Sequence, residues 1–177
     1  MMRGISDLEL ALDLADIADK VTLKLWSPQG VQSKIKADGT HVTTADGDAE
    51  IAIRQALGTA RPDDGFLGEE IGSKPSRNGR QWIVDGIDGT SGFVAGLPNW
   101  GTLIALEQDG EIRLGIITSP AQDKRWWAQS GCGAFTGTCD SNRNGRQIRV
   151  STNTHDSKSR CYFAPVQKPS PTSPTVD

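Results

Sequence analysis

The segment Gln81-Trp82-Ile83-Val84-Asp85-Gly86-Ile87-Asp88-Gly89-Thr90 constrains this chain more than any other. Residues 81–84 form a brief apolar run that stops at an acidic residue and a glycine, the pattern of a short strand delivering its last residue to a turn. Asp85 then sits where the strand ends, and Asp88 lies three residues on, in the turn. That spacing lets both carboxylates face one point while the carbonyl of Ile87 turns in beside them. Hard divalent cations such as Mg²⁺ take oxygen ligands of this kind, a few carboxylates together with water and substrate phosphate. If Gly89-Thr90-Ser91 opens a helical turn, its N–H groups offer a site for a phosphate oxygen. Cation and amides together would stabilise charge on a transferring phosphoryl group. The same residues also suit a plainer reading, because Asp-Gly pairs form turns and acidic loops are commonly just solvated.

Two further acidic clusters precede this segment: Asp46 in Thr43-Thr44-Ala45-Asp46, and Glu69 with Glu70 after Gly68. Ser6 followed by Glu9 is a capping box. Leu10, Leu14, Ile17, Val21 and Leu25 recur at helical spacing, which predicts a helix over 7–26 ended by Pro28 and Gly30. A polar loop, 34–43, follows, with Lys34 and Lys36 in it. A second helix is predicted over 44–57, with Ala49, Ile53 and Leu57 on one face and Gly58 closing it. Beyond Arg61 the texture changes to short strands at 81–84, 102–106, 112–118, 125–128 and 147–150. Asp109-Gly110 between two of these is a strong hairpin signal. Trp126 and Trp127 are neighbours on a strand and face opposite sides, so one of them belongs to the core. Two helices followed by a run of strands predict an α+β fold, the helices packed on a mostly antiparallel sheet. Residues 1–163 read as one metal-binding domain and 164–177 as a Pro-rich disordered tail, whose PxxP from Pro171 to Pro174 reads as solvated rather than as an adaptor ligand.

Bulk properties narrow the function. At 177 residues the chain suits one domain. Its net charge of −3 lacks the basic footprint that nucleic-acid binding needs. No apolar run approaches the roughly 18 residues that span a bilayer. Asp7, Glu9, Asp13 and Asp16 interrupt what a signal peptide would keep apolar. Cys132, Cys139 and Cys161 have no CxxC spacing and read as free thiols of a reducing cytoplasm. With His41 and His155 the only histidines, zinc sites and histidine triads are disfavoured.

The segment 82–90 resembles the W-I-x-D-P-I-D-G-T signature of the inositol monophosphatase family. Gly68-Glu69-Glu70 is similar to that family's G-E-E, and Val42-Thr43-Thr44-Ala45-Asp46 to the V-T-x-A-D that opens its second helix. Phe93-Val94-x-Gly96-x-Pro98, residues 102–106 and Arg125-Trp126-Trp127-Ala128 look most like its bacterial histidinol-phosphatase branch. The resemblance runs from the first helix to about Val150. It implies the N-terminal half of an αβαβα sandwich and a phosphomonoesterase using two or three Mg²⁺ ions, or Mn²⁺. Histidinol phosphate is the leading substrate and inositol monophosphate the next.

Carried over by position, Glu69, Asp85 and the Ile87 carbonyl would hold one ion, Asp85 would bridge to a second that Asp88 also binds, and Thr90 and Asp46 would orient the attacking water beside Glu69. Gly89, Thr90 and Ser91 would receive the phosphate. Glu70 matches a ligand position less well than Glu69. Two departures stand out. Gly86 replaces the family's proline, which loosens the unfolded chain by roughly 0.4–1 kcal/mol and threatens the geometry of Asp85 against Asp88. The W-D motif of the family's C-terminal half is missing, since no tryptophan here precedes an aspartate. The chain is therefore expected to lack that half, to expose apolar sheet surface and to self-associate. It would act as a phosphatase, survive as a non-catalytic remnant, or need another chain for completion.

Overall fold

The computed structural model describes residues 5–140 and 144–152. The Pro-rich tail, its PxxP, the boundary at 163, His155 and Cys161 lie outside them. Helix α1 (Asp7–Leu25) begins with the capping box: the Ser6 amide donates to Glu9 Oε2 at 2.9 Å and the Glu9 amide to Ser6 Oγ at 3.2 Å. The buried face of α1 differs from the predicted leucine stripe. Leu10 and Leu14 are buried, but Ala11, Ala15, Ala18 and Thr22 complete the face while Ile17 and Val21 lie at its margin and Leu25 is exposed. Small residues win these positions because they let α1 approach its neighbours closely.

The predicted polar loop contains a two-stranded ribbon, β1 (Lys34–Ile35) against β2 (His41–Val42). Helix α2 (Thr44–Ala60) follows, with Ala49, Ile53 and Leu57 buried as expected. It runs past Gly58, which does not close it; the Arg61 amide caps the end by donating to the Leu57 carbonyl at 2.7 Å. One glycine costs a helix only about 1 kcal/mol, too little to stop a helix whose face is still being buried.

Eight strands form one sheet: β3 (Gly65–Gly68), β4 (Ser73–Lys74), β5 (Arg80–Asp88), β6 (Gly101–Gln108), β7 (Glu111–Ser119), β8 (Lys124–Gln129), β9 (Gly133–Gly137) and β10 (Arg146–Ile148). Their order is β10-β9-β8-β7-β6-β5-β3-β4, and every pairing is antiparallel except β3 with β5. A short helix, α3 (Thr90–Val94), leaves the end of β5. Asp109 and Gly110 turn the β6–β7 hairpin with positive φ at both residues, as the dipeptide predicts. The α+β expectation therefore holds. The pattern omitted β3, β4 and β9, short segments with little alternation, β3 and β9 being bounded by glycines.

One face of the sheet packs on α1 and α2 through Trp82, Val84, Ile104, Leu106, Ile116 and Trp127. Trp127 is the core tryptophan of its pair and stacks on Phe135 at 6.1 Å. Alternate residues, among them Leu103, Ala105, Ile117, Trp126 and Ala128, line an apolar groove on the opposite face. No described helix lies on that side, and Ile117 is 48% exposed. Nor is any helix of the described residues long and apolar enough to cross a membrane.

A buried polar network ties α1 to the sheet. Arg125 is 1% exposed and donates from Nη1 to Asp16 at 2.7 Å, from Nη2 to Asp19 at 2.6 Å and from Nε to Thr118 Oγ1 at 3.3 Å. Burial pushes the Asp19 carboxyl upward in pKa, and the Arg125 guanidinium opposes that push. Removing one partner of such a pair strands a buried charge, at a cost of about 3–5 kcal/mol, whereas an apolar replacement of both is nearly neutral. Arg125→Met should therefore lower unfolding stability by about that amount. Adding Asp19→Leu should restore part of it, as urea denaturation of the three proteins will measure.

Candidate functional site

Helix α2 begins at the rim of a cleft, and its first turn is built from the residues that also serve the site. The Thr43 amide donates to Asp46 Oδ2 at 2.9 Å and the Ala45 amide to Thr43 Oγ1 at 3.1 Å. Asp46 is buried, and its other oxygen, Oδ1, accepts from Thr90 Oγ1 at 3.3 Å. Thr90 Oγ1 also lies 3.0 Å from the Ile87 carbonyl, so its one hydroxyl proton is shared between the two oxygens.

The strand does not end at Asp85. β5 continues to Asp88 through a bulge: Asp85 pairs with Leu103 and Asp88 with Gly101, so three steps on β5 face two on β6. Bulges of this kind re-aim side chains and gather beside active sites. Here the bulge sends Ile87 into a small apolar cluster with Ala45, Phe93 and Trp100, and leaves Asp85 half-buried and Asp88 exposed. Gly86 sits at its centre. A Cβ there would stand 2.3 Å from the Asp46 carbonyl oxygen, closer than real contacts allow, so only glycine fits the backbone as it lies. The Gly86 carbonyl accepts from Thr102 Oγ1 at 2.8 Å, and the Ile87 amide donates to Asp85 Oδ1 at 3.0 Å. Both bonds hold the turn in the absence of the proline ring.

Glu69, Asp85, Ile87, Asp88, Gly89, Thr90 and Ser91 line one cleft of about 300 Å³, together with Lys36 and His41 from the ribbon. Segments far apart in sequence thus meet. Of the residues singled out in the sequence, Asp46 stands behind this lining and reaches it through Thr90. Gly89 has φ 80° and starts α3, whose N-terminal residues face the cleft as the helical-turn expectation required.

Lys36 comes from the tip of the ribbon and lies between Glu69 and Glu70, with Nζ 3.0 Å from Glu69 Oε1 and in a shorter contact with Glu70 Oε1. Hydrogen bonds to Glu70, then Glu69, hold its pKa above the usual lysine range. Sequence reading could not separate Lys36 from Lys34, which stays outside the cleft lining. Only the ribbon's register, pairing Lys34 with Val42, distinguishes them.

Asp85 carries the electrostatic signature of the site. Burial first, then the charges of Glu69 and Asp88, push its pKa from 3.8 to about 7, against the opposing hydrogen bond from the Ile87 amide. Carboxylates crowded this way repel unless a cation or a proton intervenes. Among the described residues no three Asp, Glu, His or Cys side chains stand close enough to form a ready-made metal cage. The donor set nonetheless fits a hard cation: acidic oxygens converge, one of them is driven toward protonation, and an ammonium already bridges two others.

The inositol monophosphatase family model matches residues 6–175. The histidinol-phosphatase of Chlorobaculum parvum is 44% identical over 157 residues, covering 89% of this chain and 58% of that protein. The histidinol-phosphatase of Mycobacterium tuberculosis is 50% identical over 129 residues, covering 73% and 50%. In three dimensions the IMPase of Thermotoga maritima superposes with a TM-score of 0.74 at 31% identity, over 84% of this chain and 55% of that one. The chain spans about half the length of the curated relatives it matches.

A raised carboxyl pKa fixes the sign of a stability effect. Between the unfolded value of 3.8 and the folded value of about 7, the folded state binds the extra proton, so rising pH destabilises it. Above pH 7 the penalty is fully present. In EDTA, Asp85→Asn should therefore be more stable than the parent at pH 8, by roughly 1–2 kcal/mol after solvent screening. The difference should shrink toward pH 4, as thermal melts across that range will show.

Proposed function

The chain belongs to the inositol monophosphatase family, and from that premise we propose that it is the metal-binding part of a Mg²⁺-dependent phosphomonoesterase acting on a small phosphate ester in the cytoplasm. The observation that carries this reading is the convergence of Glu69, Asp85, Ile87, Asp88 and Thr90 on one cleft. Glu69, Asp85, the Ile87 carbonyl and Asp88 would hold the metal, two or three Mg²⁺ ions or Mn²⁺ in their place. When bound, the metal supplies charge neutralisation and water activation, the two contributions multi-metal phosphatases use.

The chain's own residues do the rest. Asp46 accepts from the Thr90 hydroxyl and fixes its rotamer, so Thr90 Oγ1 can orient a water toward phosphorus with the Glu69 carboxylate beside it. Gly89, Thr90 and Ser91 present the start of α3 to the phosphate. Lys36 holds Glu69 through Oε1 at 3.0 Å, so Oε2 of the same carboxylate would be the oxygen to serve the metal. Histidinol phosphate is the leading substrate, on the strength of the relatives that bear that name, and inositol monophosphate is the next.

A second reading is that the chain works only with a further αβ layer, from another chain or a longer form of this one. Its support is the apolar groove on the open sheet face. Such a face on a monomer usually marks an interaction site. The described chain alone would then self-associate and turn over poorly.

Calorimetric titration with Mg²⁺ and Mn²⁺ should show binding that Asp85→Asn abolishes or weakens at least tenfold; equal affinity would remove Asp85 from the site. Phosphate release from histidinol phosphate should stop in EDTA and resist iodoacetamide. Thr90→Ala should cut turnover more than it weakens metal binding. Light scattering after size exclusion should find oligomers or dye-binding species, and a compact monomer with fast Mg²⁺-dependent turnover would rule out the second reading.

A further inference from the structure

Glu50 lies one turn beyond Asp46 on α2 and is fully buried, 0% exposed. Among the described residues its carboxylate forms no ion pair. Instead it accepts from three successive backbone amides that follow β3: Oε1 from Glu69 N at 2.9 Å and Glu70 N at 3.2 Å, Oε2 from Glu70 N at 3.1 Å and Ile71 N at 3.0 Å. Consecutive N–H groups turned to one point form an anion-binding nest, here filled by the protein's own carboxylate. The strand makes room for it. A Cβ on Gly68 would stand 2.3 Å from Glu50 Oε2 and 2.8 Å from Phe66 Cε1, so the glycine before Glu69 is required by the carboxylate behind it.

A buried carboxylate without a counter-ion is costly, and an apolar side chain would fill the same space without that cost. What Glu50 adds is the backbone it holds. Glu69 reaches the cleft from the segment whose amides it binds, with Glu70 beside it on Lys36, and side chains on an unanchored turn would spread away from one another and from Asp85. With Asp46 gripping Thr90 and Glu50 gripping residues 69–71, two consecutive turns of α2 hold two separate segments of the cleft lining.

We propose that Glu50 is a positioning residue: through the amides of residues 69–71 it aims the Glu69 carboxylate into the cleft, keeps Glu70 against Lys36 beside it, and so sets the cleft's affinity for a divalent cation. This rests on the metal-binding reading of the cleft. Glu50→Gln keeps the shape but turns one acceptor into a donor facing N–H groups. Mn²⁺ titration by calorimetry and amide hydrogen exchange by NMR are applied to the wild type, Glu50→Gln and Leu14→Ala, the last a core truncation remote from the cleft.

Glu50→Gln should bind Mn²⁺ at least tenfold more weakly and exchange the amides of residues 69–71 at least tenfold faster, with the α2 amides still protected. Leu14→Ala should lower the melting temperature and change neither. Wild-type Mn²⁺ affinity in Glu50→Gln overturns the proposal, as does an equal loss in Leu14→Ala. If Glu50→Gln does not fold, Glu50→Asp, one methylene short of the nest, should show both effects in weaker form; wild-type values there overturn it equally. A wild type that binds no Mn²⁺ defeats the metal reading and the affinity claim with it. The exchange arm then still reports whether Glu50 holds the loop.

Discussion

Everything at the cleft depends on how closely β5 passes the first turn of α2. The Gly86 backbone lies against the Asp46 carbonyl with no space for a Cβ, and the bulge at Asp85–Asp88 is bent around that contact. The approach brings Thr90 within hydrogen-bond reach of Asp46 and turns the Ile87 side chain into the cluster of Ala45, Phe93 and Trp100. A capping aspartate therefore has two tasks. One oxygen satisfies the orphan amide at the helix start, and the other reaches across to the hydroxyl on the opposite wall.

The chain treats buried charge in two different ways. Between α1 and β8, the buried Arg125 is held by both Asp16 and Asp19, and its charge offsets part of the cost that burial imposes on Asp19. At the cleft the carboxylates outnumber the cations, and the imbalance appears as the displaced pKa of Asp85 and the ammonium of Lys36 drawn between Glu69 and Glu70. The first arrangement is closed and serves stability. The second is open, and either a proton or a cation would relieve its repulsion.

The sheet is asymmetric in the same sense. One face is sealed by α1 and α2 around Trp82 and Leu14, and the other presents Leu103, Ile117 and Trp126. Strands covered on one side only would ordinarily alternate apolar with polar residues. Here the uncovered set is partly apolar too, with Leu103 and Ala105 on β6 and Ile117 on β7 beside Glu107 and Ser119.

Local rules determined much of this protein from its sequence. Ser6 with Glu9 and Thr43 with Asp46 set helix starts, Asp109-Gly110 set a hairpin, and the alternation of β-formers set the central strands, because each signal acts between residues a few positions apart. The acidic motifs marked the cleft for the same reason: Asp85, Asp88 and Thr90 share one short segment. What tertiary structure alone decided was every relation across the chain. The buried face of α1 was settled by which side chains let helices approach, so Ala11, Ala15 and Ala18 took places the leucine period assigned to Ile17 and Val21. Lys36 rather than Lys34 entered the cleft through the register of a two-residue ribbon. Glu50 reads in sequence as one more helix charge, and Gly86 as a lost proline. Their roles exist only because folding places a carboxylate under three amides and a bare Cα against a carbonyl, contacts that no local pattern encodes.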